Sequence, residues 1–157
     1  MSQGLRIVPL AERPDLILTV ARWGFGEWGH LALGATLDDR LARVCASTRT
    51  DRPPIIVVAL DRTGVVVGMA SLIFDDLKGD PRNPWLASVY VPPEARRAGL
   101  GSQLVGAIEG LARRFGYRRL YLFTASAPQL YAGLGWRALE QRAYRGEEVT
   151  VMAKELA

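Results

Sequence analysis

The longest uninterrupted apolar run, Ile55-Ile56-Val57-Val58-Ala59-Leu60, is rich in β-branched residues, long enough for a strand and too short for a helix. It follows the breaker Asp51-Arg52-Pro53-Pro54 and ends at Asp61-Arg62-Thr63-Gly64. Val65 to Phe74 returns from that turn, so the two runs predict a hairpin. A polar segment over 75–84, with two prolines and a glycine, predicts a loop. Trp85 to Val91 is the next strand, stopped by Pro92-Pro93.

A helical period replaces the β pattern farther along. Leu100, Leu104, Ile108, Leu111 and Phe115 fall at steps of four, four, three and four, one apolar stripe that Gly116 closes as a C-cap. Near the N-terminus, Leu5 to Leu10 predicts a first strand. Pro14 opens a helix whose apolar positions are Leu16, Ile17, Val20, Ala21 and Trp28, and Gly24 and Gly26 are expected to distort or end it. Thr36-Leu37-Asp38-Asp39 has a hydroxyl cap followed by acids in the first turn, and the helix it opens is expected to reach about Thr48. Arg119 to Phe123 predicts a strand, and Pro128 to Leu134 a short helix stopped by Gly135. Trp136 to Tyr144 and Val149 to Ala153 predict a closing hairpin around Arg145-Gly146-Glu147. The order β-α-α-β-β-β-α-β-α-β-β predicts a mixed α/β layer protein, read as one domain over residues 1–157.

Composition adds little to that outline and charge adds more. Hydrophobic residues make up 49% of the 157 and charged residues 23%, close to the globular average, so neither disorder nor a fibrous repeat is needed to explain the chain. Lys and Arg outnumber Asp and Glu by 20 to 16, and arginine concentrates at Arg96-Arg97 and from Arg113-Arg114 through Arg118-Arg119. Such a balance suits nucleic acid or a polyphosphate cofactor. No Lys/Arg block of five or more is present, and no nucleic-acid motif, so no nucleic-acid partner is expected. The one cysteine, Cys45, excludes an internal disulfide; it sits in the apolar run 41–46 and is expected to be packed and unreactive. No metal constellation is present. The one histidine, His30, excludes a Ser/His/Asp arrangement unless it serves itself. With no signal-like apolar core and no run approaching a membrane span, no membrane association is expected, and the location reads as cytoplasmic.

The most informative stretch is Val89 to Ser102. A strand ends, the chain turns, and a helix starts among Gly99 and Gly101. Backbone N–H groups at a helix start lack intrahelical partners and point outward with the positive end of the dipole. Glycine lets a phosphate approach them without a Cβ in the way. Arg96 and Arg97 add charge at the rim. This pattern fits a pyrophosphate cradle, with a merely glycine-started packing helix as its alternative; neither G-x-G-x-x-G nor the Lys-Ser/Thr end of a P-loop is present.

Arg96-Arg97-Ala98-Gly99-Leu100-Gly101 resembles the Q/R-x-x-G-x-G/A signature of the GNAT (GCN5-related N-acetyltransferase) superfamily. Val89 to Leu104 is similar to that family's strand-loop-helix. Leu120 to Trp136 resembles its second block, which ends in a tyrosine shortly before Gly-Phe or Gly-Trp, here Tyr131-Ala132-Gly133-Leu134-Gly135-Trp136. The resemblance implies a central mixed, mostly antiparallel sheet flanked by helices, with strands splayed at an acetyl-CoA site. It implies acetyl transfer from acetyl-CoA to a primary amine of a small molecule or peptide by direct attack.

By the same resemblance, Val89, Tyr90 and Val91 contact the cofactor through the strand, and Arg96, Arg97, Ala98, Gly99, Leu100, Gly101 and Ser102 hold its pyrophosphate. Tyr131 is the general acid, unless it only packs beside Leu130 and Leu134. Two departures stand out. Thr124 occupies the position where many members carry asparagine, and Trp85 to Val91 holds no acid where many carry a glutamate base. Ser88 is a candidate to position a water in its place. On the acceptor side, Trp23 through His30 and Arg142 through Glu148 are implied. There Trp28 offers an apolar wall, Glu27 a group to bind or deprotonate an amine, and His30 a base; each is otherwise a core aromatic, a solvated charge or a turn residue. A homodimer is compatible with this reading. The alternative is a non-catalytic coenzyme A or acyl-CoA sensor of the same fold, which the missing strand glutamate permits and Tyr131 opposes.

Overall fold

Strand β2 (Ile55–Leu60) is buried along its whole length, on both faces, which explains a continuous apolar run in place of an alternation. The computed structural model describes residues 5–32, 34–96 and 99–156. Arg97 and Ala98, expected at the cofactor loop, lie outside the described residues. In chain order the elements are β1 (Arg6–Pro9), α1 (Ile17–Trp28), α2 (Leu37–Ala46), β2, β3 (Val66–Ile73), β4 (Trp85–Tyr90), α3 (Leu100–Arg114), β5 (Arg119–Thr124), α4 (Pro128–Gly133), β6 (Arg137–Tyr144) and β7 (Glu147–Glu155). The predicted order of elements is thus observed.

The seven strands form one sheet in the order β1-β2-β3-β4-β5-β7-β6. All neighbours are antiparallel except β4 and β5. That parallel pair is joined at one register position, Trp85 opposite Tyr121, beside a hydrogen bond from Tyr121 N–H to the Pro84 carbonyl (3.0 Å). Beyond it the two strands part. Their facing backbone groups are left for something other than the sheet.

Helices cover both faces. The α3 stripe of Leu100, Leu104, Ile108 and Leu111 packs on Ile55, Val57, Leu86, Leu120, Leu122 and Met152. Gly68 lets α3 approach: a Cβ there would stand 2.9 Å from Leu104 Cδ1 and 3.3 Å from the Tyr90 carbonyl oxygen. On the opposite face Val20 and Ala21 of α1 and Val44 of α2 meet Ile56, Val58, Leu60 and Met69.

Helix α1 and Cys45 differ from expectation. α1 runs unbroken through Gly24 and Gly26 to Trp28. Packing outweighs the low helix propensity of glycine, because Gly24 is buried where the Arg40 side chain of α2 crosses α1. Cys45 is exposed, not packed: Leu37, Leu41 and Val44 turn α2 toward the core, and Cys45 falls one step off that stripe. The start of α2 is as expected, with Thr36 Oγ1 accepting from Asp39 N–H (3.1 Å) and Asp39 accepting from Thr36 N–H (2.9 Å), a reciprocal capping box.

Among the described residues no helix covers the sheet where β4, β5 and β7 adjoin on the α1/α2 face. The 74–84 loop does so, burying Leu77 and Trp85 beside Val151. Arg82 ties it down through Asp80 and Glu140, and the Lys78 N–H donates to Tyr144 Oη (3.2 Å). Among the described residues no helix is long and apolar enough to cross a membrane.

Candidate active site

The parting of β4 from β5 opens a cleft of about 1010 Å³ that crosses the sheet. One feature of β4 shapes its floor. Ala87 faces Ser71 and Tyr90 faces Met69, so three steps on β4 match two on β3, a β-bulge. Ser88 takes up the extra residue in left-handed backbone (φ +54°), a strained conformation for a non-glycine residue. The buried Ser71 hydroxyl donates to the Ala87 carbonyl (2.9 Å) and pins the strand just before the bulge. Ser88, Val89, Tyr90 and Val91 all line the cleft.

One end is built by the start of α3. Gly99 is its N-cap in left-handed backbone (φ +69°), and among the described residues no side chain caps the first-turn N–H groups. Gly99, Leu100, Gly101 and Ser102 line the cleft, and a Cβ added at Gly99 or Gly101 would meet nothing within 4 Å. An uncapped dipole end with open space above it fits a diphosphate. Arg96 folds across the rim: its Nε donates to the Val91 carbonyl (2.7 Å) and its guanidinium lies over the Tyr90 ring. Thr124 also lines the cleft, where its Oγ1 accepts from Ala127 N–H (3.0 Å) and shapes the turn into α4.

Tyr131 comes in from α4. Its ring meets Trp136 edge-on at 6.2 Å, and Trp136 Nε1 donates to the buried Glu109 of α3 (3.3 Å). Glu109 also pairs with Lys154 of β7 (2.9 Å), which donates to the Leu134 carbonyl (2.8 Å). A buried charge is tolerable only with such partners, and this network fixes the Tyr131–Trp136 turn to helix and sheet. The Tyr131 hydroxyl has no hydrogen-bond partner among the described residues and still reaches solvent in the cleft. Burial of the ring pushes its pKa above the ordinary phenol value.

At the other end stand α1, α2 and the β6–β7 turn. Of the residues expected there, Phe25, Glu27, Trp28, Gly29, His30, Tyr144, Arg145 and Glu147 line the cleft, with Glu27, His30 and Arg145 exposed at its lip. Trp23 does not line it; it packs with Trp28 against Tyr90 (5.4 and 6.3 Å between ring centroids) and steadies β4 from behind. Arg142 points away, to Asp80.

Residues that sequence reading missed stand at this end: Arg40 and Arg43 of α2, and Asp76 in the loop after β3. Burial raises the Asp76 carboxyl to about 7, and Arg43, Arg145 and Arg40 only partly oppose it. In sequence, Asp76 is one acid in a polar loop and the arginines are ordinary helix-surface charges; only the fold brings them together. Among the described residues no group of three or more His, Cys, Asp or Glu side chains is placed to hold a metal ion.

Residues 18–136 match the model of the acetyltransferase (GNAT) family. No curated protein matches the chain. Several solved structures share its fold. YncA from Salmonella typhimurium, solved with its cofactor acetyl-CoA, is 22% identical over 98% of this chain and 95% of its own, with a TM-score of 0.73. A GCN5-related N-acetyltransferase from Kribbella flavida is 20% identical over 99% of each chain (TM-score 0.74). An aminoglycoside 6'-N-acetyltransferase complexed with coenzyme A is 17% identical over 97% of each (TM-score 0.74).

Proposed function

The chain belongs to the GNAT acetyltransferase family, and from that premise we propose that it transfers an acetyl group from acetyl-CoA to a primary amine. One observation carries the reading: an uncapped glycine helix start, a parted strand pair and a phenol with a free hydroxyl line the same cleft. When bound, acetyl-CoA supplies an activated acetyl group as a thioester. The N–H groups of the first α3 turn bind its pyrophosphate, with Arg96 at the rim. The backbone of Val89, Tyr90 and Val91, unpaired toward β5, orients the pantetheine arm and offers an N–H to charge developing on the carbonyl oxygen. The Thr124 hydroxyl, already accepting from Ala127, keeps its proton to donate.

Tyr131 holds a proton at Oη for the departing sulfur, and its raised pKa keeps the phenol protonated at neutral pH. Trp28 walls the acceptor end, and Glu27 and His30 receive the amine at its lip. Ser88 offers the hydroxyl of the bulge, for a water or for the amine itself. Asp76 takes the proton from the amine. Its value of about 7 suits that task, whereas an ordinary aspartate is a much weaker base. A base works deprotonated, so kcat/KM is expected to rise with pH through about 7 and to level above it. Asp76→Asn should lose activity and this limb together; a variant with the parental pH profile would remove Asp76 from the mechanism. A cytoplasmic location goes with the proposal.

The test is thiol release from acetyl-CoA in the presence of a panel of small amines and peptides. Release that depends on an added amine supports transfer. Tight coenzyme A binding without release for any amine would favour a sensor.

A further inference from the structure

Three arginines gather at the acceptor end. Arg40 and Arg43 lie three residues apart on α2, and Arg145 sits in the β6–β7 turn in left-handed backbone (φ +51°) with its guanidinium 5.2 Å from the Tyr144 ring centroid. All three line the cleft. Their charges also act on one another: burial, then Arg43, lowers the Arg40 pKa, with Arg145 adding to it and Asp76 opposing.

Elsewhere the arginines divide into those paired with a carboxylate and seven exposed ones, Arg6, Arg22, Arg52, Arg62, Arg96, Arg114 and Arg118, that reach none among the described residues. What sets this trio apart is its gathering at one end of the cleft. Arg13, Arg49, Arg82, Arg113, Arg119, Arg137 and Arg142 each reach a carboxylate within 4.0 Å. Among the described residues none of Arg40, Arg43 and Arg145 does so. Asp76 stands among them without a direct ion pair, and the exposed Asp75 next to it makes none either. Grouping like charges without close counterions is unfavourable, and α1 accommodates it with a glycine. A Cβ at position 24 would lie 3.2 Å from Arg40 Nη1.

We infer that the acceptor amine also carries an acidic group, held by Arg43 and Arg145 with Arg40 behind them, so that its amine falls beside Asp76. The inference rests on the proposed acetyl transfer and specifies its acceptor. A compact zwitterion matches both halves of this end: guanidinium forks bind a carboxylate or phosphonate with two parallel hydrogen bonds, and one or a few carbons separate that acid from the amine. A polycationic acceptor would set further ammonium groups against three guanidiniums.

The experiment compares amino acids with their amides, their decarboxylated amines and spermidine, using the full chain and acetyl-CoA. The parent should favour the acids over their amides by roughly tenfold to a hundredfold in kcat/KM, the range for charge-assisted hydrogen bonds. The double variant Arg43→Gln/Arg145→Gln should lose most of that preference through KM, with acetyl-CoA affinity by calorimetry unchanged. Both side chains are exposed, so its melting temperature should match the parent. Equal or better use of amides or spermidine, retained preference in the variant, or a fall in acetyl-CoA affinity would each overturn the inference. Acetylation of neutral amines alone leaves the proposed function standing and sinks only the acidic acceptor; absence of acetyl-CoA binding sinks both.

Discussion

Gly101→Glu should yield a folded protein that no longer binds acetyl-CoA. Position 101 has ordinary helical backbone, and an added Cβ meets nothing within 4 Å, so the substitution meets no steric obstacle. Glycine costs a helix interior about 1 kcal/mol relative to alanine, and glutamate is a better helix former. A carboxylate in the first turn also suits the helix dipole. Stability should therefore hold or rise slightly. The same carboxylate would occupy the phosphate seat with its own charge, competing for the first-turn N–H groups. Gly99→Glu is a less clean test, because a side chain at φ +69° is strained by roughly 1–2 kcal/mol. Calorimetric titration with acetyl-CoA beside a thermal melt separates the effects; parental affinity in folded Gly101→Glu would remove the diphosphate from α3.

Tyr131→Phe should lower kcat by about 10²–10⁴-fold, the usual contribution of general acid catalysis, with acetyl-CoA affinity nearly unchanged. The ring and its edge-on contact with Trp136 remain. The hydroxyl has no hydrogen-bond partner among the described residues, so its removal leaves no donor or acceptor stranded. A loss confined to kcat thus reports the proton and not the packing. Most of the parental kcat surviving, where chemistry limits turnover, would make Tyr131 a packing residue.

The α3 end of the cleft was legible in the sequence and the opposite end only in part, for a physical reason. Gly99, Gly101 and the apolar stripe beginning at Leu100 are local signals, since strand end, turn and helix start are written in neighbouring residues. Tyr131 stands in a second local block. The opposite end instead assembles α1, α2, the loop after β3 and the β6–β7 turn, four segments far apart in sequence. Asp76 is unremarkable until the fold surrounds it with Arg40, Arg43 and Arg145. Gly24 misled for the same reason. Its low helix propensity is local, whereas its use against Arg40 is tertiary. The Ser88 bulge has no periodic signature at all, because one extra residue within Trp85–Tyr90 leaves the apolar pattern readable as a plain strand.

The proposed reaction moves an acetyl group from acetyl-CoA onto an amine nitrogen. Mass spectrometry of the acceptor, run beside a thiol assay on the same sample, addresses it most directly. One acetyl group should be gained by an amine for each thiol released, in a product that survives hydroxylamine. Thiol release with no acetylated amine, or an acetyl group that hydroxylamine removes from an oxygen, would contradict it.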